Sequence, residues 1–556
     1  MPDGVNPTLL RNLAALRGVD PDLVERITWP CGSEHVSWGE DGEADYLIHT
    51  TWHALSMTQT EIDACVRGLD LSAPILVFGM GLGEVCETLA RFGKQVLAWE
   101  RDPWLLRQVL SRRDWGDEIR SGRVRFLLTT DVLEFAGQEL QIVEHPLLGH
   151  VYRHERELLR SAPGEHVTLL GAGGLFVDDV ADALRAEGHR VLIWDTDNWA
   201  KEELARSAEV SGAQRAVTIN YVHGLAETCA ELGLSLRVWE IDPSTDDLPP
   251  LQGGPDGPAA QGARIGTWRL ANVDAFEAAG FTDVVHLPLA ANPERRHPAQ
   301  LSDEEAAKLD ADVIFVGSSM VEQGLSFRRR LIAAHVLARG GDPTTAFEEA
   351  ENAIESVLSI QRDDFSVYRV PELLAEALPT LGPSVTNEAV LNALAGARPD
   401  ALLGEMAAAD KRITYVANLG QVGIHVWGDE GWKHAADYGA VWRGRAGHGK
   451  QLTEIYSQPA IHLDIGRLYQ TDIITMRVFD VLACGGFCLA EWSPQLGDLF
   501  EIGVELDCYR TLEEMLEKTG HWLEQGPEAR AEVGRRGRER ILRDHTIAHR
   551  VKALLS

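Results

Sequence analysis

HVTLLGAGGLFVDDVADALRAEGHRVLIWDTD, residues 166–197, reads as an apolar strand, a glycine turn, an amphipathic helix and a second apolar strand tipped with acid. Short apolar runs without alternation suit strands buried on both faces of a parallel sheet, and the glycines let such a strand break into its crossover helix. The same text stands upstream, where PILVFGMGLGE from Pro74 is followed by ETLARFG, QVLAWERD and VRFLLTTD. AVTIN, SLRVWEID, ARIGTWRL and TDVVHLPLA extend the middle set, and DADVIFVGSSM at 310–320 opens a third. Residues 321–410 read as helices, RITYVANLG, IHVWGDEGW and AIHLDIG as short strands, and DIITMRVFDVLACGG as a helix before a helical tail.

The expected fold class is α/β with three Rossmann-like domains, at 1–160, 161–309 and 310–556, the last with a helical insertion at 321–410. Residues 1–74 are polar and amphipathic, with a helix expected at Pro7–Leu16, and LQGGPDGPAAQG at 251–262 reads as a surface loop. A chain of 556 residues exceeds one core, and 45% hydrophobic with 25% charged residues is ordinary globular composition.

The formal charge is −33, from 52 basic and 85 acidic side chains, which disfavours nucleic acid and anionic membrane surfaces as partners. Seven scattered cysteines offer no paired spacing of zinc-ligand type, and Cys484 and Cys488 sit in an apolar run as small hydrophobes. No segment approaches the ~20 apolar residues of a membrane span, and the start lacks the plan of a secretory signal. A cytoplasmic protein is expected.

GMGLGE at 79–84, with Glu100 closing the next strand, has the form of an S-adenosylmethionine or dinucleotide turn. Val77 stands where methyltransferases usually carry an acid, so a purely structural turn is equally consistent. GAGG at 171–174 and the acids Asp195, Glu240 and Asp242 at strand ends are weaker signals, as are His223 and His286 beside strand ends. The fullest constellation is TDIITMRVFDVLACGGFCLAEWSPQLGDLFEIGVE, 471–505. Asp472, Arg477 and Asp480 there meet a helix start, whose free N–H groups suit a diphosphate. Asp480 is placed to accept ribose hydroxyls and Arg477 to offset leaving-group charge.

WGDEGW, EIYSQPAIHLDI, RVFDVLACGGFCLAE, LGDLFEIGVE and the ending RILRDHTIAHR are similar to glycosyltransferases of the spore-maturation protein CgeB type, within the GT-B class. The likeness extends back to 166 through INYVHGL, RVWEIDPS, HLPLAANPERRHP and VIFVGSS; residues before 160 resemble motility-accessory or methyltransferase Rossmann domains. Related enzymes carry two glutamates separated by seven residues on the donor helix; here those positions are Asp472 and Asp480. The resemblance implies a UDP- or GDP-sugar donor, a protein or glycan acceptor, and transfer without a metal across an interdomain cleft. It places the base near Trp442 and Gly444, the ribose on Asp480 and the diphosphate at Thr471–Thr475, with Gly317 and Asp472 in the donor set. His223, Asp242 and Arg477 are the candidate catalytic groups. Asp195 and Asp197, in WDTDNW, are the acid pair that argues for a metal instead. Two other functions fit the same text: an S-adenosylmethionine-dependent methyltransferase working at Gly79–Glu100, and a non-catalytic glycosyltransferase-like scaffold.

Overall fold

The chain begins with a helix at Pro7–Arg17, which Asn6 starts by accepting from the Thr8 and Leu9 amides. The computed structural model describes residues 6–33, 35–38, 43–48, 51–70, 73–93, 95–160, 167–173, 176–241, 256–382 and 387–556. After the first helices come β1 (Val36–Trp38), β2 (Ala44–Ile48) and β3 (Thr51–Ala54), a small antiparallel sheet that the polar reading of residues 1–74 did not anticipate. Its strands are short and largely solvated, so they lack the apolar run that marks a core strand.

β4 (Ile75–Phe78), β5 (Val96–Glu100), β6 (Val124–Leu128) and β7 (Gln141–Glu144) form a parallel sheet in the order β6-β5-β4-β7. Every residue of β4 and β5 is buried, as a strand covered on both faces requires. The second large sheet contains β8 (Val167–Gly171), β9 (Arg190–Trp194), β10 (Arg215–Ile219), β11 (Ser235–Glu240), β12 (Arg264–Thr267) and β13 (Asp283–His286), in the order β13-β12-β11-β10-β8-β9.

The third contains β14 (Val313–Val316), β15 (His425–Trp427), β16 (Val441–Trp442), β17 (Ile461–Leu463), β18 (Phe487–Glu491) and β19 (Asp507–Tyr509). These run parallel in the order β16-β15-β14-β17-β18-β19. The three parallel sheets match the three restarts in the sequence. Between β14 and β15 lie the helices Val321–Arg339, Pro343–Arg362, Val370–Ala377, Glu388–Leu394 and Pro399–Asn418. RITYVANLG is therefore not a strand: its first seven residues complete the helix Pro399–Asn418. Ile, Thr and Val there have strand propensity, but burial of Tyr415 and Val416 against the helical core overrides it.

The chain resolves into two compact units, one of residues 1–267, 272–285 and 551–556, the other of 268–271 and 286–550.

Candidate active site

In the third sheet the chain leaves β14 for β15 and β16 on one side, then returns to β17 and proceeds to β19 on the other. β14 and β17 thus flank a topological switch point, where the loops beyond the strands part and leave a crevice. Two arginines span it. Arg477, on the helix Met476–Ala483, donates from Nε to the Val316 carbonyl at 2.8 Å and pairs through Nη1 with Asp464, just past β17. Its guanidinium lies 4.5 Å over the Phe315 ring. Arg412 donates to the carbonyls of Ser318 at 2.8 Å and Ile465 at 3.2 Å, and burial followed by repulsion from Arg477 and Arg467 lowers its pKa to about 10. Gly317 suits the close approach here: a Cβ would stand 2.7 Å from Arg477 Nη2 and 3.0 Å from the Phe315 ring. Thr475, the N-cap of the 476–483 helix, donates its hydroxyl to Asp464 at 2.6 Å.

Beside this crevice lies a cavity of about 360 Å³ at the carboxyl ends of β17, β18 and β19. Thr471, Asp472 and Thr475 line it together with Lys411, Arg467 and Arg510. Lys411 is paired with Glu491, and Arg467 with Glu405 at 3.2 Å. Arg510 alone of these three cations makes no ion pair among the described residues; its guanidinium rests 4.1 Å over the Trp492 ring. A stacked, exposed guanidinium without a counter-charge is a ready anion receptor. Asp472 is held by Arg269 at 3.1 Å.

The other residues singled out in the sequence do not line this cavity. Asp480 is buried and ion-paired with Arg296 at 3.0 Å; Arg296 also donates to Thr453 Oγ1 and to the His448 carbonyl. Trp442 is half-buried on β16, its Nε1 donating to the Gly428 carbonyl at 3.2 Å, and Gly444 follows with φ +83°. His223 is exposed beyond β10, its ring edge-on to Tyr221 at 5.2 Å. Asp242 lies outside the described residues. Sequence reasoning passed over Lys411, Asp464, Glu491 and Arg510. Three of these end or directly follow a strand, which was a legible signal; Lys411 sits within a helix and gave none. Among the described residues no cluster of three or more His, Cys, Asp or Glu could hold a metal ion, and no helix is long and apolar enough to cross a membrane.

The glycine turn of the first parallel sheet is filled by the protein itself. Gly81 has φ +55°, and a Cβ on it would meet the His145 ring at 2.6 Å, while one on Gly79 would meet Leu148 at 2.8 Å. His145 Nδ1 accepts from the Leu147 and Leu148 amides, which leaves Nε2 to donate to the Leu55 carbonyl. Glu100 is fully buried and accepts from Tyr152 and from the amides of Arg101 and Asp102. It offers no open carboxylate to a ribose. Burial raises its pKa to about 7 from an ordinary 4.5. The raised value means that stability present below about pH 4.5 is lost as pH rises through 7. Between about pH 5.5 and pH 8.5, wild type should therefore lose about 2 kcal/mol of unfolding free energy relative to Glu100→Gln. Parallel denaturation curves at both pH values check this; equal losses would mean that Glu100 ionises freely.

No curated protein matched the chain. Among solved structures, a glycosyltransferase from Rickettsia africae ESF-5 aligns at 9% identity over 70% of this chain and 97% of its own, with TM-score 0.44. A sucrose-phosphate synthase from Thermosynechococcus elongatus aligns at 11% over 70% and 97%, TM-score 0.37. Anabaena HepE in complex with UDP-glucose aligns at 10% over 70% and 98%, TM-score 0.39. With scores this low, these likenesses carry no argument about the site. Residues 410–556, which hold Lys411, Arg467, Arg477 and Arg510, match the family described as glycosyl transferase-like, and this stretch supplies one side of the switch point and most of the cavity lining.

Proposed function

We propose that this chain is a GT-B glycosyltransferase of the CgeB-like kind, moving a sugar from a UDP- or GDP-sugar to a hydroxyl of a protein or glycan acceptor. The observation that carries the reading is Arg510, a cation without a counter-charge at the mouth of a strand-end cavity within the glycosyltransferase-like stretch. In this reading the diphosphate meets Arg510 and the Thr471–Thr475 loop. The sugar lies toward Asp472, and the nucleoside runs toward Asp480, Trp442 and Gly444. Charge growing on the departing diphosphate falls to preorganised guanidinium and amide donors, so the reading expects transfer without a divalent cation. Arg477 serves by fixing the loops on which these groups sit, and His223 is the candidate on the acceptor side.

The discriminating experiment is calorimetric titration of the whole chain with UDP, GDP and S-adenosylmethionine, followed by a donor-hydrolysis assay. A nucleoside diphosphate should bind saturably, and at 100 times its Kd should add about 2.7 kcal/mol of stability. Binding of S-adenosylmethionine alone would overturn the reading in favour of a methyltransferase. Nucleotide binding with no turnover of any sugar donor would leave a scaffold instead.

A further inference from the structure

Three arginines stand on one face of the second large sheet. Arg237 on β11 is level with Val217 on β10 and with Arg264 on β12, and Arg215 stands two residues before Val217. Level residues in a parallel ladder share a face and side chains alternate with period 2, so Arg215, Arg237 and Arg264 emerge together from adjacent strands about 4.8 Å apart. Further along that face Val217 and Trp239 are buried, and the opposite face, with Ala216, Leu236 and Ile265, is core. The arginines therefore occupy the amino-terminal end of an otherwise apolar surface.

Their charge is poorly matched. Among the described residues Asp283 pairs with Arg264 at 3.0 Å, the side chain of Arg237 makes one hydrogen bond, to the Leu236 carbonyl at 2.9 Å, and that of Arg215 makes none. The Nε of all three is buried without a partner. Burial, then the neighbouring Arg215 and, against the opposing pull of Asp283, Arg264, holds the Arg237 guanidinium below its ordinary basicity. Arg215 opens onto a cavity of about 490 Å³ whose other polar side chains, among the described residues, are Thr168, His189, Gln214 and Ser235, with no carboxylate among them. In a chain of formal charge −33 this is a local inversion of sign. Like charges gathered in a partly desolvated row cost stability unless an anion joins them.

We propose that this end of the β8–β13 sheet is a binding site for a small phosphate-bearing molecule, gripped by Arg215, Arg237 and Arg264. The planar guanidinium forks match phosphate oxygens, and the Gln214 amide and Ser235 hydroxyl beside Arg215 supply further donors. The size of the cavity fits a sugar phosphate or a free phosphate rather than a strand of nucleic acid, which the net charge also repels. The site lies in the unit of residues 1–267 and shares no residue with the strand-end cavity of the other unit.

The test is titration of the full chain with inorganic phosphate, pyrophosphate and glucose 1-phosphate, each in the presence of millimolar UDP. At least one probe should bind saturably, the sugar phosphate more tightly than phosphate if the cavity reads the sugar, and equally if it reads phosphate alone. Arg237→Gln should weaken that binding about tenfold or more, the loss expected for a charge-assisted hydrogen bond. Relief of repulsion should also raise the melting temperature of the unliganded Arg237→Gln variant, while the rise on adding the probe is lost. If Arg237→Gln does not fold, Arg215→Gln replaces it with the same two readings. The proposal is overturned if no probe saturates, if binding is unchanged in the variant, or if the unliganded variant melts below wild type.

Discussion

Arg477→Ala is expected to lower the unfolding free energy of the 286–550 unit by about 3–5 kcal/mol, the cost of breaking a buried ion pair and stranding its partner. Asp464 is 3% exposed and depends on Arg477 and Thr475 for its charge to be tolerated. The guanidinium also joins β14 to β17 through the Val316 carbonyl and covers the Phe315 ring. Arg477→Lys keeps the charge but not the fork, so it should recover part of the loss. Chemical denaturation of both variants reads the effect. A wild-type midpoint with reduced turnover would instead return Arg477 to the leaving-group role read from the sequence.

Arg510→Ala should do the reverse, sparing the fold and emptying the site. Its guanidinium is exposed and makes no ion pair among the described residues, so only the stacking on Trp492 is lost. Affinity for a nucleoside diphosphate should fall about 10- to 150-fold, corresponding to about 1.5–3 kcal/mol for a hydrogen bond to a charged group. Calorimetry with UDP on wild type and variant, alongside melting curves, separates the two effects. Undiminished affinity would remove Arg510 from the donor site and take the proposed function's main support with it.

The parallel sheets were legible because each opens with an apolar strand that breaks into glycine or serine, as Ile75–Phe78, Val167–Gly171 and Val313–Val316 do. Local text failed where packing decides. RITYVANLG reads as a strand until the helical core that buries Tyr415 and Val416 is known. GMGLGE reads as a cofactor turn until His145 and Leu148, more than sixty residues away, are seen to fill it. The charged residues on the 476–483 helix were legible by type, but their partners were not. Arg296 lies 184 positions from Asp480, and nothing in either segment announces the other. Arg510 went unread because a charged residue after a strand is usually just solvated.

The ion pair between Asp480 and Arg296 has a kinetic consequence. In the proposed donor site a ribose that takes Asp480 Oδ2 would displace a guanidinium also anchored to Thr453 and the His448 carbonyl, so Arg296 would compete with the donor. On that proposal capture would take two steps, release of the arginine and entry of the ribose. The apparent dissociation constant is the intrinsic one divided by the fraction of molecules in which the latch stands open. Where opening is the slower step, the observed association rate levels off as donor concentration rises, with a plateau set by the latch.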